Sequence, residues 1–318
     1  MTRFVLKRIL TAIPVFLGIT ILVFALSYAA SGSPVSLLLQ DPMTTKEEIA
    51  MLEEQLGLNK PVYIQYLNWL HQLLQGNFGF SYRTGQTVAF MVGERVGPTL
   101  LLTVTSTLVS ILIAVPLGVM SAYKPYSGWD YVSSALSFVG ASLPNFFAGL
   151  LMIYFFTVKL QWLPLGGMFS TSSSKNLGDL FLHLLLPLIT FSLQQIGSIL
   201  RQTRSSLMEV MQDDFIRTAR AKGISETRVV VRHGLRNALI PVVTVVFSMV
   251  PFIIGGAVIT EQIFSWPGIG SLMVQSINAR DYPVIMGITT IVAGVVLTAN
   301  IVADVVYGLL DPKIRMSR

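Results

Sequence analysis

The chain is organised around one polar, basic segment between two long apolar runs, which reads Asp213-Asp214-Phe215-Ile216-Arg217-Thr218-Ala219-Arg220-Ala221-Lys222-Gly223-Ile224-Ser225. Asp213 or Asp214 can cap a helix that runs through Lys222, because a carboxylate accepts hydrogen bonds from the free N–H groups and favours the positive helix end. Gly223 suits the left-handed turn that closes such a helix. The segment therefore predicts a short, defined helix between two membrane-spanning runs.

Composition places the chain among membrane proteins. Its 318 residues are 53% hydrophobic and only 12% charged, with a mean hydropathy of +0.66, whereas soluble domains carry about 25% charged residues. The net charge of +6 comes from basic residues clustered beside apolar runs, which is typical of topology signals rather than of nucleic-acid binding. The absence of cysteine excludes disulfides, thiolate metal sites and a cysteine nucleophile.

Six apolar runs are each long enough to cross a bilayer, which takes about 20 residues. The first follows Arg3, Lys7 and Arg8 and exceeds the roughly 7–15 apolar residues of a signal peptide, so we expect a retained span. The runs cover approximately residues 9–30, 99–123, 131–158, 180–200, 237–260 and 284–310. An even number of spans places both termini on one side of the membrane.

Basic residues concentrate in the connections that this topology assigns to the inner side. Lys124 lies in the first inner connection, and Lys313, Arg315 and Arg318 lie in the tail. The second inner connection holds eight: Arg201, Arg204, Arg217, Arg220, Lys222, Arg228, Arg232 and Arg236. The positive-inside bias therefore predicts cytoplasmic N and C termini.

The segment between the first two spans is predicted to be extracytoplasmic and helical. Thr45 and Glu48 fit a capping box, and the run after Pro61 is an aromatic-rich amphipathic helix suited to the membrane interface. No phosphate-binding loop, zinc-protease motif or nucleophile elbow is present, and the three histidines are scattered along the sequence. We expect neither catalytic residues nor a metal site.

Two interpretations of the basic segment start from the same residues. A basic inner connection is usually a topology signal and nothing more. Here, however, Ser225 can cap a second helix that runs to about Arg236, and small residues such as Ala219 and Ala221 allow close approach of another protein. A cap and a terminator are more local structure than a topology signal requires, so we favour a docking element.

The segment resembles the cytoplasmic coupling loop of ABC-transporter permeases of the type I importer class. The general Glu-Ala-Ala of that class falls on Arg217-Thr218-Ala219, which departs from it, and its glycine falls on Gly223. The departure matches the subgroup that imports peptides, whose loop is similar to residues 217–223 followed by Arg236-Asn237-Ala238-Leu239-Ile240-Pro241.

Four further stretches resemble the same subgroup, so the likeness extends over nearly the whole chain. It points to the first (B-type) permease subunit of dipeptide and oligopeptide importers, with nickel and glutathione importers as close relatives. The stretches are Gly76–Ser81, Glu261–Gly270, Arg280–Pro283 and Asp311–Arg315.

The resemblance implies an all-α integral membrane protein with six transmembrane helices in the type I ABC importer permease fold, with cytoplasmic N and C termini, in a prokaryotic cell membrane. It implies a first span and extracytoplasmic segment over 1–94, a five-helix permease domain over 95–310 with its coupling loop at 201–236, and a cytoplasmic tail over 311–318. The expected partners are a second, homologous permease (a heterodimer), two ATPase subunits, an extracytoplasmic solute-binding protein and membrane lipid, with no nucleic acid. ATP and Mg would bind the ATPases, so this chain is expected to bind no cofactor and to catalyse nothing.

The resemblance also implies two functional regions. The ATPase contact would be formed by Asp214, Phe215, Ile216, Arg217, Thr218, Ala219, Arg220, Ala221, Lys222 and Gly223, with Phe215 and Ile216 as apolar anchors. An extracytoplasmic gate or binding-protein contact would be formed by Glu261, Phe264, Pro267, Gly268 and Gly270. A plain Pro/Gly turn is the alternative for that second region.

Two isolated polar residues and the substrate stay open at this stage. Asp304 is a deep carboxylate that we expect to pair with a cation near the interface, and His183 could touch substrate. A self-contained channel or secondary transporter would need coupling carboxylates, broken helices near the midplane and an inverted repeat, and the sequence shows one deep acid and no repeat. Dipeptides, longer peptides, nickel chelates and glutathione are not distinguished.

Overall fold

The computed structural model describes residues 2–31, 59–170, 176–250 and 257–310, and almost all regular structure in those ranges is helical. The predicted capping box at Thr45 and Glu48 and the basic tail 311–318 lie outside the described residues. An isolated bridge between Phe80 and Thr87 is the one β pairing in the described part.

The helices follow one another along the chain with short connections, and two of them continue as π-helix. In chain order they are α1 (Thr2–Ser31), α2 (Val62–Leu74), α3 (Val88–Tyr123), α4 (Gly128–Ser142), α5 (Asn145–Met152) with the π segment Ile153–Lys159, α6 (Leu177–Val210), α7 (Asp214–Ala221), α8 (Glu226–Arg228) with the π segment Val229–Gly234, α9 (Leu235–Ser248), α10 (Ala257–Ile263), α11 (Ile269–Asn278) and α12 (Tyr282–Leu310).

Five continuous helical segments are long and apolar enough to cross a membrane: Val5–Ala30, Val88–Tyr123, Leu177–Val210, Glu226–Ser248 and Tyr282–Val305. The remaining predicted span, 131–158, is bent, and the predicted count of six spans is reached when the bent pair is taken as one span. It consists of α4 and α5 with its π extension, bent by 105°. Pro144 has no N–H to donate and forces Leu143 out of the helical region into an extended conformation (ψ 118°), so the helix breaks there.

The described residues divide into two compact units, one formed by those within 97–271 and 298–310 and the other by those within 2–96 and 272–297. In the first unit, α6 is the central helix, because α4 and α9 both pack along it. Gly140 and Gly197 let α4 and α6 cross backbone to backbone, since a Cβ on Gly140 would overlap the Leu193 carbonyl. Ser137 Oγ donates to the Gly197 carbonyl at 2.7 Å at the same crossing.

In the second unit, α2 packs against α1 through aromatic side chains. The Phe24 ring contacts the rings of Tyr66 and Trp69 at centroid distances of 5.5 and 5.8 Å, and the Thr20 and Tyr66 hydroxyls lie 3.0 Å apart. The other side of α2 exposes Tyr63 and Leu67. The predicted amphipathic helix is therefore present, with one aromatic side packed, half-buried, against the first span.

Candidate functional site

The predicted cytoplasmic helix is α7. It begins after Asp213, whose extended backbone (ψ 151°) is that of an N-cap, although its side chain makes no capping hydrogen bond. The helix ends at Lys222, and Gly223 follows with φ +74°, the left-handed conformation that the sequence predicted. The start of α7 and the glycine that terminates it therefore lie where the sequence predicted them.

One side of α7 is already covered by the chain itself. Ile216 is fully buried and Ala219 nearly so, and both pack against Val229 of the π segment. The prediction that Ile216 is an apolar anchor for another protein is therefore wrong, and Ala219 is no surface contact either. The exposed residues of the segment are Asp214, Phe215, Arg217, Thr218, Arg220, Ala221, Lys222 and Gly223.

An ion pair holds α7 to the helix that follows it. Arg220 donates from Nε and Nη2 to the two carboxylate oxygens of Glu226, at 3.1 and 2.7 Å. This bidentate pairing closes the turn at Gly223 and raises the pKa of Arg220. Arg217 lies 3.6 Å from Asp214 with both side chains largely in solvent, so that pair contributes little. The exposed side of α7 is thus one aromatic ring, Phe215, beside the cations Arg217 and Lys222.

The π segment connects α7 to the end of α6. Val230 belongs to the same buried cluster as Leu207 of α6. Gly234 approaches α6 so closely that a Cβ there would lie 3.0 Å from Leu207 Cδ1 and from Met211 Sδ. Because Ile216 packs on Val229 and Val230 packs on Leu207, α7 is fastened to α6 by side-chain packing as well as by the three-residue connection between them.

A buried ion pair then links α6 to the first inner connection. Arg204 donates to the two oxygens of Asp130 on α4 at 2.8 and 3.0 Å, and Asp130 also accepts from Ser121 Oγ and from the Tyr126 N–H. The Asp130 side chain is 7% exposed and that of Arg204 31%. We name this arrangement the Asp130–Arg204 clamp. Sequence analysis treated Arg204 only as a topology charge and assigned Asp130 no role.

The outer motif Glu261–Gly270 is built around a buried carboxylate. Glu261 is fully buried, and its Oε1 accepts from Thr99 Oγ1 at 2.7 Å while its Oε2 accepts from the Ser271 N–H at 3.0 Å. Thr99 Oγ1 in turn accepts from the Ile269 N–H at 2.9 Å. Glu261 and Thr99 therefore satisfy two of the free N–H groups at the start of α11, those of Ser271 and Ile269, and the negative charge favours that helix end.

Gly268 and Gly270 are required by this packing. A Cβ on Gly268 would overlap the Glu261 carboxylate, and one on Gly270 would lie 2.5 Å from Val258 Cα. Phe264 and Trp266 are also buried, and Trp266 Nε1 donates to the Pro98 carbonyl at 2.9 Å.

The predicted extracytoplasmic contact at this motif therefore needs correction. Glu261, Phe264, Gly268 and Gly270 have buried side chains or backbones, and Pro267 is half-buried, so they hold the loop together. The plain-turn alternative also falls short, because a turn does not need a buried carboxylate. The exposed residues of the motif are Gln262 and Ser265.

Two other motif stretches meet in the unit formed by 2–96 and 272–297. Asp281 is buried and accepts from Ser81 Oγ and, at 3.1 Å, from the Tyr82 N–H. Ser81 closes the stretch that begins at Gly76, and Asp281 belongs to Arg280–Pro283. The resemblance marked both stretches, and the structure shows that they form one hydrogen-bonded junction.

The two isolated polar residues have separate outcomes. His183 is buried, with Nδ1 3.0 Å from the Gly166 carbonyl oxygen and Nε2 3.1 Å from Ser170 Oγ, so both ring nitrogens are engaged with the loop before α6. Asp304 is half-buried, and its predicted cationic partners in the tail lie outside the described residues. Among the described residues, no group of three or more His, Asp or Glu side chains could hold a metal ion.

Comparison with known proteins shows the family to which the chain belongs. Residues 114–316 match the family described as binding-protein-dependent transport system inner membrane component, and residues 1–108 match its N-terminal component. The chain belongs to this permease family. It is thus a multi-pass inner-membrane component of an ABC transporter, and α7 lies in the part matched by the main family model.

Permeases of known name are similar over the full length. The oligopeptide transport system permease protein AppB of Bacillus subtilis is 44% identical, with 99% of each chain covered. The glutathione transport system permease protein GsiC of Salmonella choleraesuis is 38% identical, again with 99% of each chain covered. A chain of the inward-facing MetNI methionine ABC transporter superposes with a TM-score of 0.55 at 17% identity, over 70% of this chain and 97% of that one, which shows that the fold is shared.

Proposed function

We propose that this permease forms half of the membrane pathway of an ATP-driven importer of short peptides, and that separate ATPase subunits drive it by gripping α7. The observation that carries the proposal is the state of α7: its inner side is fastened to the π segment, and its outer side presents Phe215, Arg217 and Lys222 to solvent. Peptides are the favoured substrate because the AppB likeness covers the whole chain at 44% identity.

The packing supports a mechanism in which α7 acts as a lever. A force on α7 would pass through Ile216 and Val229 into the π segment and through Val230 into α6. α6 would then move α4 through the Asp130–Arg204 clamp and through the close glycine crossing. Rigid-body movement of packed helices is a common route by which a small shift at one site opens or closes another.

The proposal keeps the assembly that the sequence predicted. It comprises a second, homologous permease, two ATPases that bind ATP and Mg, and an extracytoplasmic solute-binding protein, with both termini of this chain in the cytoplasm. Residues 1–94 would form the first span and outer segment, 95–310 the permease domain with its coupling loop at 201–236, and 311–318 the tail. Chemistry takes place in the ATPases, so this chain needs no catalytic residue and no cofactor.

A second candidate substrate is glutathione, favoured by the 38% identity to GsiC. Because glutathione is itself a modified tripeptide, it needs the same amide-binding chemistry as a short peptide. Competition between labelled dipeptide and glutathione in reconstituted vesicles distinguishes the two: the peptide account expects the dipeptide to be taken up and glutathione to compete weakly.

The experiment that tests the coupling role changes Gly223 in the reconstituted complex. A Cβ at this position meets nothing within 4 Å, so only the backbone conformation (φ +74°) opposes a side chain. This left-handed conformation costs an ordinary residue roughly 1–2 kcal/mol, and it costs a β-branched residue such as valine more. Asparagine adopts the same conformation readily. We expect the complex with Gly223→Val still to hydrolyse ATP but to take up at least about fivefold less peptide per ATP, since about 1 kcal/mol corresponds to about a fivefold change.

Gly223→Asn is the matched control and should retain nearly full uptake per ATP. The wild-type complex must show uptake only with the ATPases present. Equal coupling in the valine and asparagine variants, or uptake by this chain alone, would return the segment to a plain topology signal or to a self-contained transporter.

A further inference from the structure

Next to the bend between α4 and α5, two amide side chains form a hydrogen bond in the part of the chain that would lie inside the bilayer. Asn145 Nδ2 donates to Gln194 Oε1 of α6 at 3.0 Å, and this pair lies on the surface of the chain rather than in its core. Asn145 is the first residue of α5, directly after the break at Pro144. The close crossing of Gly140 and Gly197 holds α4 and α6 together next to it.

Residue counting places this pair deep in the bilayer from both helices. On α6 the uncharged stretch runs from Asp179 to Arg201, and Gln194 lies about 6 Å from its midpoint at roughly 1.5 Å per residue. On the bent pair the uncharged stretch runs from Asp130 to Lys159, and Asn145 lies at its middle. Both amides therefore lie within a hydrocarbon layer about 30 Å thick.

Contact with lipid would be unfavourable for this pair of amide side chains. The mutual hydrogen bond uses one N–H of Asn145 and one acceptor position of Gln194, so the Gln194 NH2 and the Asn145 carbonyl oxygen have no partner in the described part of the chain. Unsatisfied polar groups are costly in hydrocarbon, and non-helical backbone at membrane depth is tolerated only inside protein or beside water.

Two further polar atoms without a partner lie at a similar level of α6. Of the buried side-chain polar atoms that lack a partner in the described residues, two belong to the stretch of α6 around Gln194, namely Thr190 Oγ1 and Gln195 Oε1. Buried unpaired groups of this kind usually contact ordered water. The exposed rings of Phe146 and Phe147 follow Asn145 on α5.

We propose that Asn145 and Gln194 line the translocation pathway and hydrogen-bond the backbone of the transported peptide. This inference rests on the proposed function as a peptide importer. The groups left over are three donors, namely the Gln194 NH2 and the second N–H of Asn145, and one acceptor, the Asn145 carbonyl oxygen. Each residue of an extended peptide offers its own N–H donor and C=O acceptor on the same side, so the pair can engage the main chain of one residue whatever its side chain. The binding is to the main chain, which every short peptide shares.

The chain contains no cysteine, so accessibility can be tested with single substitutions. Gln194→Cys and Ile189→Cys are compared in membranes that hold the full complex, with a charged, membrane-impermeant methanethiosulfonate as probe. Ile189 is also exposed (41%), lies about five residues away at similar depth and faces about 140° around α6, which makes it a matched control. We expect the cysteine at 194 to react at least about tenfold faster, because thiolate and charged reagent both need water, and a transported dipeptide to slow it.

A rate at 194 no faster than at 189, or a rate at 194 that a transported dipeptide leaves unchanged, would overturn the proposal. Dipeptide uptake supplies a second measurement. Gln194→Leu should lower uptake by about fivefold, the effect of losing one hydrogen bond. Gln194→Asn keeps an amide and should restore part of the uptake. ATP-driven uptake by the unsubstituted complex is measured first. If it is absent, the proposed function fails; if it is present and the cysteine at 194 is unreactive, only the pathway assignment fails.

Discussion

Replacing Asp130 with leucine is expected to lower the free energy of unfolding by about 3 kcal/mol, the lower end of the range for breaking a buried ion pair. The variant removes both acceptor oxygens from Arg204 and leaves the guanidinium at the α4–α6 interface without its counter-charge. It also frees Ser121 Oγ and the Tyr126 N–H, which both donate to Asp130. Partial exposure of Arg204, at 31%, lets water compensate in part and keeps the loss at the lower end.

The test uses a double-mutant cycle on the detergent-solubilised protein, followed by its unfolding transition. Asp130→Leu and Arg204→Leu are each expected to destabilise, and the double variant is expected to recover much of the loss, because an apolar pair leaves no charge unpaired. If the clamp transmits movement from α7, the double variant should also show less uptake per ATP. Additive effects on stability would show that the two residues act independently and would remove the clamp from the mechanism.

Replacing Gly268 with alanine is expected to destabilise the outer motif by roughly 3 kcal/mol. The added Cβ would overlap the Glu261 carboxylate, which the loop holds through Thr99 and Ser271. To relieve the overlap, either the backbone moves or the buried carboxylate loses its hydrogen-bond donors. Overpacking together with the loss of a hydrogen bond to a charged group costs roughly 3 kcal/mol. The expected result is a lower unfolding temperature and loss of peptide uptake.

Gly97→Ala is the matched control, because a Cβ at Gly97 meets nothing within 4 Å and alanine favours α3. It should be neutral or slightly stabilising. Glu261→Ala combined with Gly268→Ala removes the overlapping group, so the double variant should cost less than the sum of the two single changes. A Gly268→Ala variant as stable as Gly97→Ala would contradict the buried arrangement of Glu261.

Local signals in the sequence were sufficient to predict the short elements. The Asp213 start and the Gly223 terminator of α7 are set by backbone preferences of single residues, and the structure confirms both. The aromatic pattern of α2 likewise predicted an amphipathic helix, and in the structure Tyr66 and Trp69 pack, half-buried, against Phe24 of the first span. Long apolar runs predicted the spans because the bilayer requires about 20 apolar residues for each crossing.

Properties that depend on distant neighbours could not be predicted. Ile216 and Phe215 are both apolar, but adjacent residues on a helix point about 100° apart, so only one of them packs on the π segment. Nothing local to Glu261 shows that Thr99, more than 150 residues away in sequence, donates to its carboxylate. The Asp130–Arg204 clamp is separated in sequence by 74 positions. Pro144 was a visible signal for the bend in the third run, because proline breaks helices, and the length of that run concealed it.

The central claim, that an ATPase subunit grips the exposed side of α7, is tested most directly by site-specific photo-cross-linking in the assembled complex. A benzoylphenylalanine is placed at Phe215, which is 41% exposed on α7, and in a second sample at Phe138, which is exposed on α4. We expect the probe at 215 to form an adduct with an ATPase subunit in an ATP-dependent yield, and the probe at 138 to form none with that subunit. An unlinked Phe215 probe in a complex that still transports peptide would contradict the account.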